Sequence, residues 1–240
     1  MLWVMDSTAP LSPTPRTRLG RKRERGRTER GELYAVLDQG IVCHLGVLVH
    51  GSPVVLPTCY GRIGDTLYVH GSVANQAIGA AAVGRSVCVT VTHVDGIVLA
   101  RSIFHHSVNY RSAVIFGTAR LINEDPERLR GLRAIVEQMA PGQWENARTP
   151  TRKELASTAV LAIPLNESSV KVRSGPPVDD PEDLHLGWWA GVLPVRMMFG
   201  EPEADPALPP GLAVPAHVES MGRLQRIRPQ ACDGTPSVSR

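Results

Sequence analysis

The chain has 240 residues, 42% of them hydrophobic and 20% charged, with a formal net charge of +3. That length buries a full hydrophobic core in one ordinary domain with tails, without disulfide or metal staples. No run reaches the roughly 18–20 apolar residues needed to cross a bilayer, and the opening MLWVMDSTAPLSPTPRT has no charged segment ahead of an apolar core, so a cytoplasmic protein without a membrane partner is expected.

The charge is local. Residues 16–30 read RTRLGRKRERGRTER, eight basic residues against two acidic ones. Such a run could meet nucleic acid or a membrane surface. No aromatic is interleaved for base stacking, however, and the preceding segment is rich in Pro, Ser and Thr. Residues 1–26 are therefore expected to be a disordered basic leader, with no nucleic-acid partner. A Pro-rich, aperiodic stretch at 201–240 is expected to be a flexible tail, leaving one folded domain at 27–200. Cys43, Cys59, Cys88 and Cys232 show no CxxC spacing. Three of them lie in apolar runs, which argues against a metal site or a disulfide framework.

Along the folded part, TERGELYAVLDQG (28–40) places Leu33, Val36 and Leu37 on one helical face, with Thr28 as N-cap and Gly40 as the stop. Short β-rich runs follow: IVCHLGVLV, a turn at HGSP, VVLPTCY, a turn at GRIGD, and TLYVHG. Such short turns imply antiparallel neighbours, since parallel strands need long crossovers. SVANQAIGAAAVG (72–84) changes period and predicts a short helix. SVCVTVTHV and IVLARSIF are expected to be two strands of a hairpin turning at Asp95-Gly96. RSAVIFGTARLI predicts another strand, and DPERLRGLRAIVEQMA a helix with Asp125 as N-cap and Pro126 at its first position. TRKELAS (short helix), TAVLAIPL and SSVKVRSGPP lead to LGWWAGVLPVRMMF. Seven or eight hairpin-linked strands with inserted helices predict a mainly β, antiparallel small barrel with peripheral helices.

Three donor-rich stretches fall at strand ends. In HGSVANQ, His70, Gly71, Ser72, Asn75 and Gln76 sit at a strand-to-helix junction. Free N–H groups there suit a phosphate oxygen, although Ser72 equally reads as a helix cap. In HHSVNYRS, Arg111 can bind a phosphate in two-pronged fashion, and Asn109 and Ser112 can meet the heteroatoms of a polar ring. The stretch also reads as a hydrogen-bonded loop between strands. Adjacent histidines on a strand point to opposite faces and make poor joint metal ligands. In KVRSGPP, Lys171 and Arg173 alternate onto one strand face, which could also be a solvated one. No nucleophile elbow, Walker loop, GxGxxG or paired-carboxylate constellation is present, so a cofactor that brings its own chemistry fits better than side-chain catalysis.

The strand run from GIVCHLGVLV to HGSVANQ, together with FHHSVNYRS, KVRSGPP and WWAGVLPV, closely resembles the pyridoxamine 5′-phosphate oxidase-like family. Within it, the chain is most similar to a flavin-nucleotide-binding branch related to nitroimidazole-resistance proteins. The resemblance covers roughly residues 25–198. It implies a split β-barrel (the FMN-binding split barrel) that forms a homodimer with FMN in two clefts at the subunit interface. It implies that Pro57, Thr58 and Tyr60 lie along the isoalloxazine ring and that His70, Gly71 and Ser72 lie near the ribityl phosphate. Asn109, Tyr110, Arg111 and Ser112 would approach the flavin, and Trp189 would help close the pocket. The implied activity is that of an oxidoreductase passing hydride through flavin N5, with NAD(P)H as electron donor and an unidentified small-molecule acceptor. A non-catalytic flavin- or haem-binding protein for storage or sensing is the alternative. One departure stands out: such relatives usually carry Ser-Arg where this chain has Asn75-Gln76. A lost charge-assisted hydrogen bond is worth about 1.5–3 kcal/mol, or roughly 10- to 100-fold in affinity. Arg111, Arg85 or Lys171 would have to compensate, or the ligand would be haem or a deazaflavin coenzyme.

Overall fold

The computed structural model describes residues 10–227 other than residue 12, with side chains as far as Met221. The expectations for residues 1–9 and 228–240, and Cys232, lie outside the described residues. Where one domain over 27–200 is expected, the chain clusters into two compact units. The first comprises the chain up to Val94 with Tyr110–Arg173, and the second Asp95–Asn109 with the chain from Ser174 onward.

In chain order the elements are β1 (Gly26–Arg27), α1 (Arg30–Gln39), β2 (Val42–Val49), β3 (Ser52–Ile63), β4 (Thr66–Ser72), α2 (Gln76–Ala82), β5 (Ser86–Leu99), β6 (Ser107–Thr118) and β7 (Arg120–Leu121). They continue with α3 (Asp125–Met139), α4 (Arg152–Ser157), β8 (Thr158–Pro164), β9 (Glu167–Arg173), β10 (Gly191–Pro194) and α5 (Ala216–Ile227). The strands hydrogen-bond in the order β1-β9-β6-β5-β2-β3-β4-β8-β7, with β10 on β5. The path is open rather than closed into a complete barrel. The expected mainly β, antiparallel architecture with helices at its periphery is present.

Turn chemistry explains the hairpins. β2 and β3 are joined by His50 and Gly51, both at positive φ (49° and 81°), with Val49 opposite Ser52. Two such residues match the right-handed twist of the flanking strands. β3 and β4 turn at Gly64 (φ 54°) and Asp65, with Ile63 opposite Thr66. The turn is tighter than GRIGD suggests, because Gly61, Arg62 and Ile63 remain in β3. Gly61 is needed there: a Cβ on it would lie 2.3 Å from the Ala134 carbonyl carbon of α3.

The core of the first unit lies where α1 and α2 meet the sheet. Leu33, Val36 and Leu37 of α1 are fully buried, as their helical spacing predicts, together with Cys43, Leu45, Val69, Ile78, Val89 and Ile115. A smaller cluster under α3 joins Tyr68, Ile122, Ile135, Val160 and Ala162. At about 25 cal/mol per Å² of apolar surface, burial of this kind is the main stabilising contribution.

Several expectations are corrected. α1 starts at Arg30 with Glu29, not Thr28, as N-cap, and α3 is capped by Glu124, one residue before Asp125. α2 begins at Gln76, not Ser72, because Ser72 is still paired with Thr158 in the β4–β8 ladder. Asp95-Gly96 is not a turn: β5 runs straight through it. Gly96 lies opposite Pro194 of β10, and a Cβ on it would come within 2.8 Å of Val192 Cγ1. Close approach, rather than a turn, requires glycine there. The leader is not wholly disordered. Arg23–Arg25 form a 3-10 turn, and Gly26 and Arg27 pair with Lys171 and Val170 of β9. The tail, expected to be flexible throughout, carries α5.

Candidate functional site

Within the first unit, the sequence-predicted donors fall into two groups. The first lies at the end of β4. Pro57 and Thr58 are on β3, opposite His44 and Cys43, and the Thr58 hydroxyl reaches the His70 carbonyl at 3.4 Å. His70, Gly71 and Ser72 close β4 opposite Val160, Ala159 and Thr158. Gly71 admits α2, since a Cβ would lie 2.7 Å from Ile78 Cγ1.

The helix start is already occupied by its own cap. Asn75 Oδ1 accepts from the N–H groups of Ala77 (2.9 Å) and Ile78 (3.2 Å), and Ser72 Oγ accepts from Ala74 N–H at 3.2 Å. The N–H groups expected to bind a phosphate are thus satisfied locally, on a helix of only seven residues. Gln76 projects into solvent.

His70 differs from its neighbours. Its Nδ1 is buried and without a hydrogen-bond partner. Burial lowers the pKa of the imidazole from its usual value, because the charged form loses hydration. A neutral imidazole is therefore held there at pH 7.

The second group lies where β6 meets β9. Tyr110 is opposite Arg173, Arg111 opposite Val172, and Ser112 opposite Lys171. Directly opposed residues share a face of the sheet, so Tyr110, Ser112, Lys171 and Arg173 line one face. Arg111 alternates to the other, where its Nη1 donates to Gln39 Oε1 at 2.6 Å. Ser112 Oγ donates to the Lys171 carbonyl and Lys171 Nζ to the Arg21 carbonyl, each at 3.4 Å. Arg173 is buried, and burial followed by the charge of Arg25 lowers its pKa, while the Tyr110 phenol opposes that shift. Arg85, a suggested compensating cation, donates to the Leu48 carbonyl at 3.2 Å.

Three of the expected residues lie in different settings. Tyr60 is fully buried in the core and its hydroxyl donates to the Leu37 carbonyl. β-Strand alternation puts it on the inner face, so it does not line an open ring site. Asn109 and Trp189 belong to the second unit. There Asn109 is buried, with its Nδ2 donating to the Gly175 carbonyl at 3.1 Å, and Trp189 is exposed. The paired histidines serve that unit's loop: His105 Nε2 meets Asp180 at 3.1 Å and His106 Nδ1 meets the Ser102 carbonyl at 3.0 Å. Asp179, which sequence reasoning missed, has its side chain buried in the same unit. Burial alone would raise its pKa, but hydrogen bonds from the Arg101 side chain, the Arg101 N–H and the Ser102 N–H hold it below the usual value. Among the described residues no cluster of three metal-ligating side chains occurs.

The model of a protein family described as pyridoxamine 5′-phosphate oxidase matches residues 29–172, the stretch that holds β2 to β8, most of β9 and the whole β4 group.

The chain belongs to the pyridoxamine 5′-phosphate oxidase family.

Its split-barrel fold is that of the family. Among solved structures, this pyridoxamine 5′-phosphate oxidase family member is similar to a flavocytochrome from Azotobacter vinelandii, with 37% identity over 88% of this chain and 99% of that one, and a TM-score of 0.83. It is similar to an FAD and haem binding protein from Mycobacterium smegmatis, with 38% identity over 82% and 97%, and a TM-score of 0.79. A candidate 5-nitroimidazole antibiotic resistance protein from Bacteroides thetaiotaomicron shares the fold at 21% identity over 61% and 86%, with a TM-score of 0.52. No curated protein sequence matches the family member.

Proposed function

We propose that this protein is a redox protein of the pyridoxamine 5′-phosphate oxidase family that holds a flavin nucleotide and a haem. The observation that carries the haem part is His70. Its imidazole is kept neutral by burial, and its buried Nδ1 has no hydrogen-bond partner among the described residues. That is the protonation state a ligating imidazole needs. Support also comes from the two relatives at 37% and 38% identity, one described as a flavocytochrome and one as binding FAD and haem. They favour FAD over FMN as the flavin, and haem as a companion rather than a substitute.

The donor set on β6 and β9 fits a flavin. The Tyr110 phenol, the Ser112 hydroxyl and the cations of Lys171 and Arg173 share a face and match the ring's carbonyl and nitrogen acceptors. They also match the negative charge of its reduced form. A bound flavin would supply hydride chemistry and a haem one-electron chemistry. NAD(P)H is the proposed electron donor and an unidentified small molecule the acceptor. The working form is proposed to be a cytoplasmic homodimer, a second copy covering apolar side chains such as Trp188, Trp189 and Met198 that the second unit exposes.

The experiment is an absorbance spectrum of the purified protein, reconstituted with FAD and haemin, for the wild type and His70→Ala. Flavin bands and a Soret band in the wild type, with loss of the Soret band alone in the variant, are expected. A protein that takes up neither group sinks the reading. NADPH oxidation by the loaded protein separates an oxidoreductase from a storage or sensing protein.

A further inference from the structure

The basic leader is held against the sheet by contacts at both of its ends. Leu11 is buried, and its N–H donates to the Thr28 carbonyl at 2.7 Å. Thr14 Oγ1 donates to Glu167 Oε1 at 2.6 Å, and Arg16 Nε donates to the same oxygen at 3.0 Å. Arg16 Nη1 donates to Ser86 Oγ at 3.0 Å, and the guanidinium lies over the Phe116 ring at 5.0 Å. At the other end Gly26 and Arg27 pair with Lys171 and Val170 of β9. Between these anchors the chain closes on itself. A Cβ on Gly26 would lie 2.7 Å from Leu19 Cδ1, and Arg23 Nε donates to the Leu19 carbonyl at 3.2 Å.

The anchors use two of the leader's cations and leave five to solvent. Arg16 pairs with Glu167 and Arg27 with Glu32. Arg18, Arg21, Lys22 and Arg23 are exposed and Arg25 is half-buried, and none of these five forms an ion pair among the described residues. Glu24 is the one carboxylate in residues 18–25. Residues 16–30 carry six positive charges in excess, twice the +3 of the whole chain, so the remainder is acidic on balance. A disordered run would have to be ordered on binding; a closed loop presents its charge as one patch without that cost. Such a patch attracts an anionic surface.

The adjoining sequence favours one kind of surface. Residues 1–5 read MLWVM, four large apolar side chains and a tryptophan, joined to Arg16 by a stretch bearing Pro, Ser and Thr. A nucleic acid has no use for that apolar run, and residues 16–30 offer no aromatic on which bases would stack. An acidic protein would need an apolar pocket beside its carboxylates. A bilayer presents both features together: anionic headgroups for the cations, and the headgroup–acyl boundary for tryptophan and aliphatic groups. No helix among the described residues is long and apolar enough to cross a membrane, and surface attachment needs none. We propose that the leader attaches this protein to an anionic membrane surface. Arg18, Arg21, Lys22, Arg23 and Arg25 meet the headgroups, and MLWVM supplies the second, hydrophobic signal. One such signal gives weak, reversible attachment and two give a stable one. The proposal does not depend on the flavin and haem reading.

The test is co-sedimentation of the full chain with vesicles of phosphatidylcholine alone and of phosphatidylcholine containing roughly one-quarter phosphatidylglycerol. The variants are the triple Arg21→Gln, Lys22→Gln, Arg23→Gln; the charge-conserving pair Arg21→Lys, Arg23→Lys; and Trp3→Ser. Melting confirms that each variant is folded. The wild type is expected to bind the anionic vesicles, weakening as salt rises, and to leave phosphatidylcholine unbound. Each cation near such a surface is worth about fivefold, so the triple variant should lose about a hundredfold. The charge-conserving pair should keep its affinity, and Trp3→Ser should lose about tenfold. Failure of the wild type to sediment with the anionic vesicles overturns the proposal. So does equal binding to both vesicles, or a change of less than about threefold in either the triple variant or Trp3→Ser. A DNA duplex and polyglutamate are run alongside: binding to either one with no binding to vesicles assigns the patch to nucleic acid or to an acidic protein, and the membrane proposal falls.

Discussion

Arg30 and Asp65 lock the first helix to the β3–β4 turn: Arg30 Nη1 donates to Asp65 Oδ1 at 2.8 Å, with the arginine side chain 5% exposed and the carboxylate 22%. The Tyr34 hydroxyl donates to the same oxygen at 2.6 Å. Removing the carboxylate takes its charge partner from a buried guanidinium, a change worth up to about 3–5 kcal/mol. Asp65→Asn is therefore expected to lower the unfolding free energy by about 3 kcal/mol, read as a reduced urea midpoint at unchanged slope. A shift below about 1 kcal/mol would mean that solvent compensates Arg30.

Gly61→Ala places a Cβ against the backbone of α3, where the Ala134 carbonyl carbon would be 2.3 Å away. Backbone cannot swing aside as a side chain does, so α3 must lift from β3 and disturb its packing. A loss of about 2–3 kcal/mol is expected by chemical denaturation, with a secondary-structure spectrum close to wild type. An unchanged midpoint would contradict the tight α3–β3 contact.

Tyr60→Phe separates a core role from a cofactor role. The buried hydroxyl donates to the Leu37 carbonyl, which also accepts from Gln138 Nε2 at 3.0 Å and Gly40 N–H at 3.3 Å. No acceptor is left orphaned, so the cost is about 1 kcal/mol. Flavin affinity should not change. A tenfold loss of flavin affinity with intact stability would return Tyr60 to the ring site.

The pH dependence of stability should carry the mark of His70. Its folded pKa lies below the unfolded value of about 6.5, since burial disfavours the imidazolium. Below that unfolded value the unfolded chain binds the proton first. The stability contributed by the neutral ring is thus present above about pH 6.5 and is lost as pH falls through the folded pKa. His70→Gln in the cofactor-free protein should flatten the decline on the acid side of pH 6.5. Equal slopes for wild type and variant would show that the ring titrates as if it were in water.

Local chemistry settled a good deal of this protein. The buried face Leu33, Val36 and Leu37 followed from helical spacing, the hairpin turn at His50-Gly51 from its residues, and the antiparallel class from short connections. The family was legible in the stretches around His70, Arg111 and Arg173, and the matched family model agrees. These signals act over a few residues, where periodicity and turn stereochemistry are decided. Other features depend on which surface remains uncovered once distant segments have packed. Asp95-Gly96 carries a strong hairpin signal, yet β10 claims that backbone and keeps β5 extended. Tyr60 and Thr58 have the same spacing on β3, but only the packing of α1 made the Leu37 carbonyl the tyrosine's partner. The donors from His105 to Ser112 read as one wall, but strand alternation and the loop's own hydrogen bonds divide them. The pairing of Gly26 with Lys171 and of Arg27 with Val170 brings the basic leader to β9 across most of the folded sequence. Nothing within reach of Gly26 in the sequence signals that partner, since the pairing exists only once β9 offers a free edge.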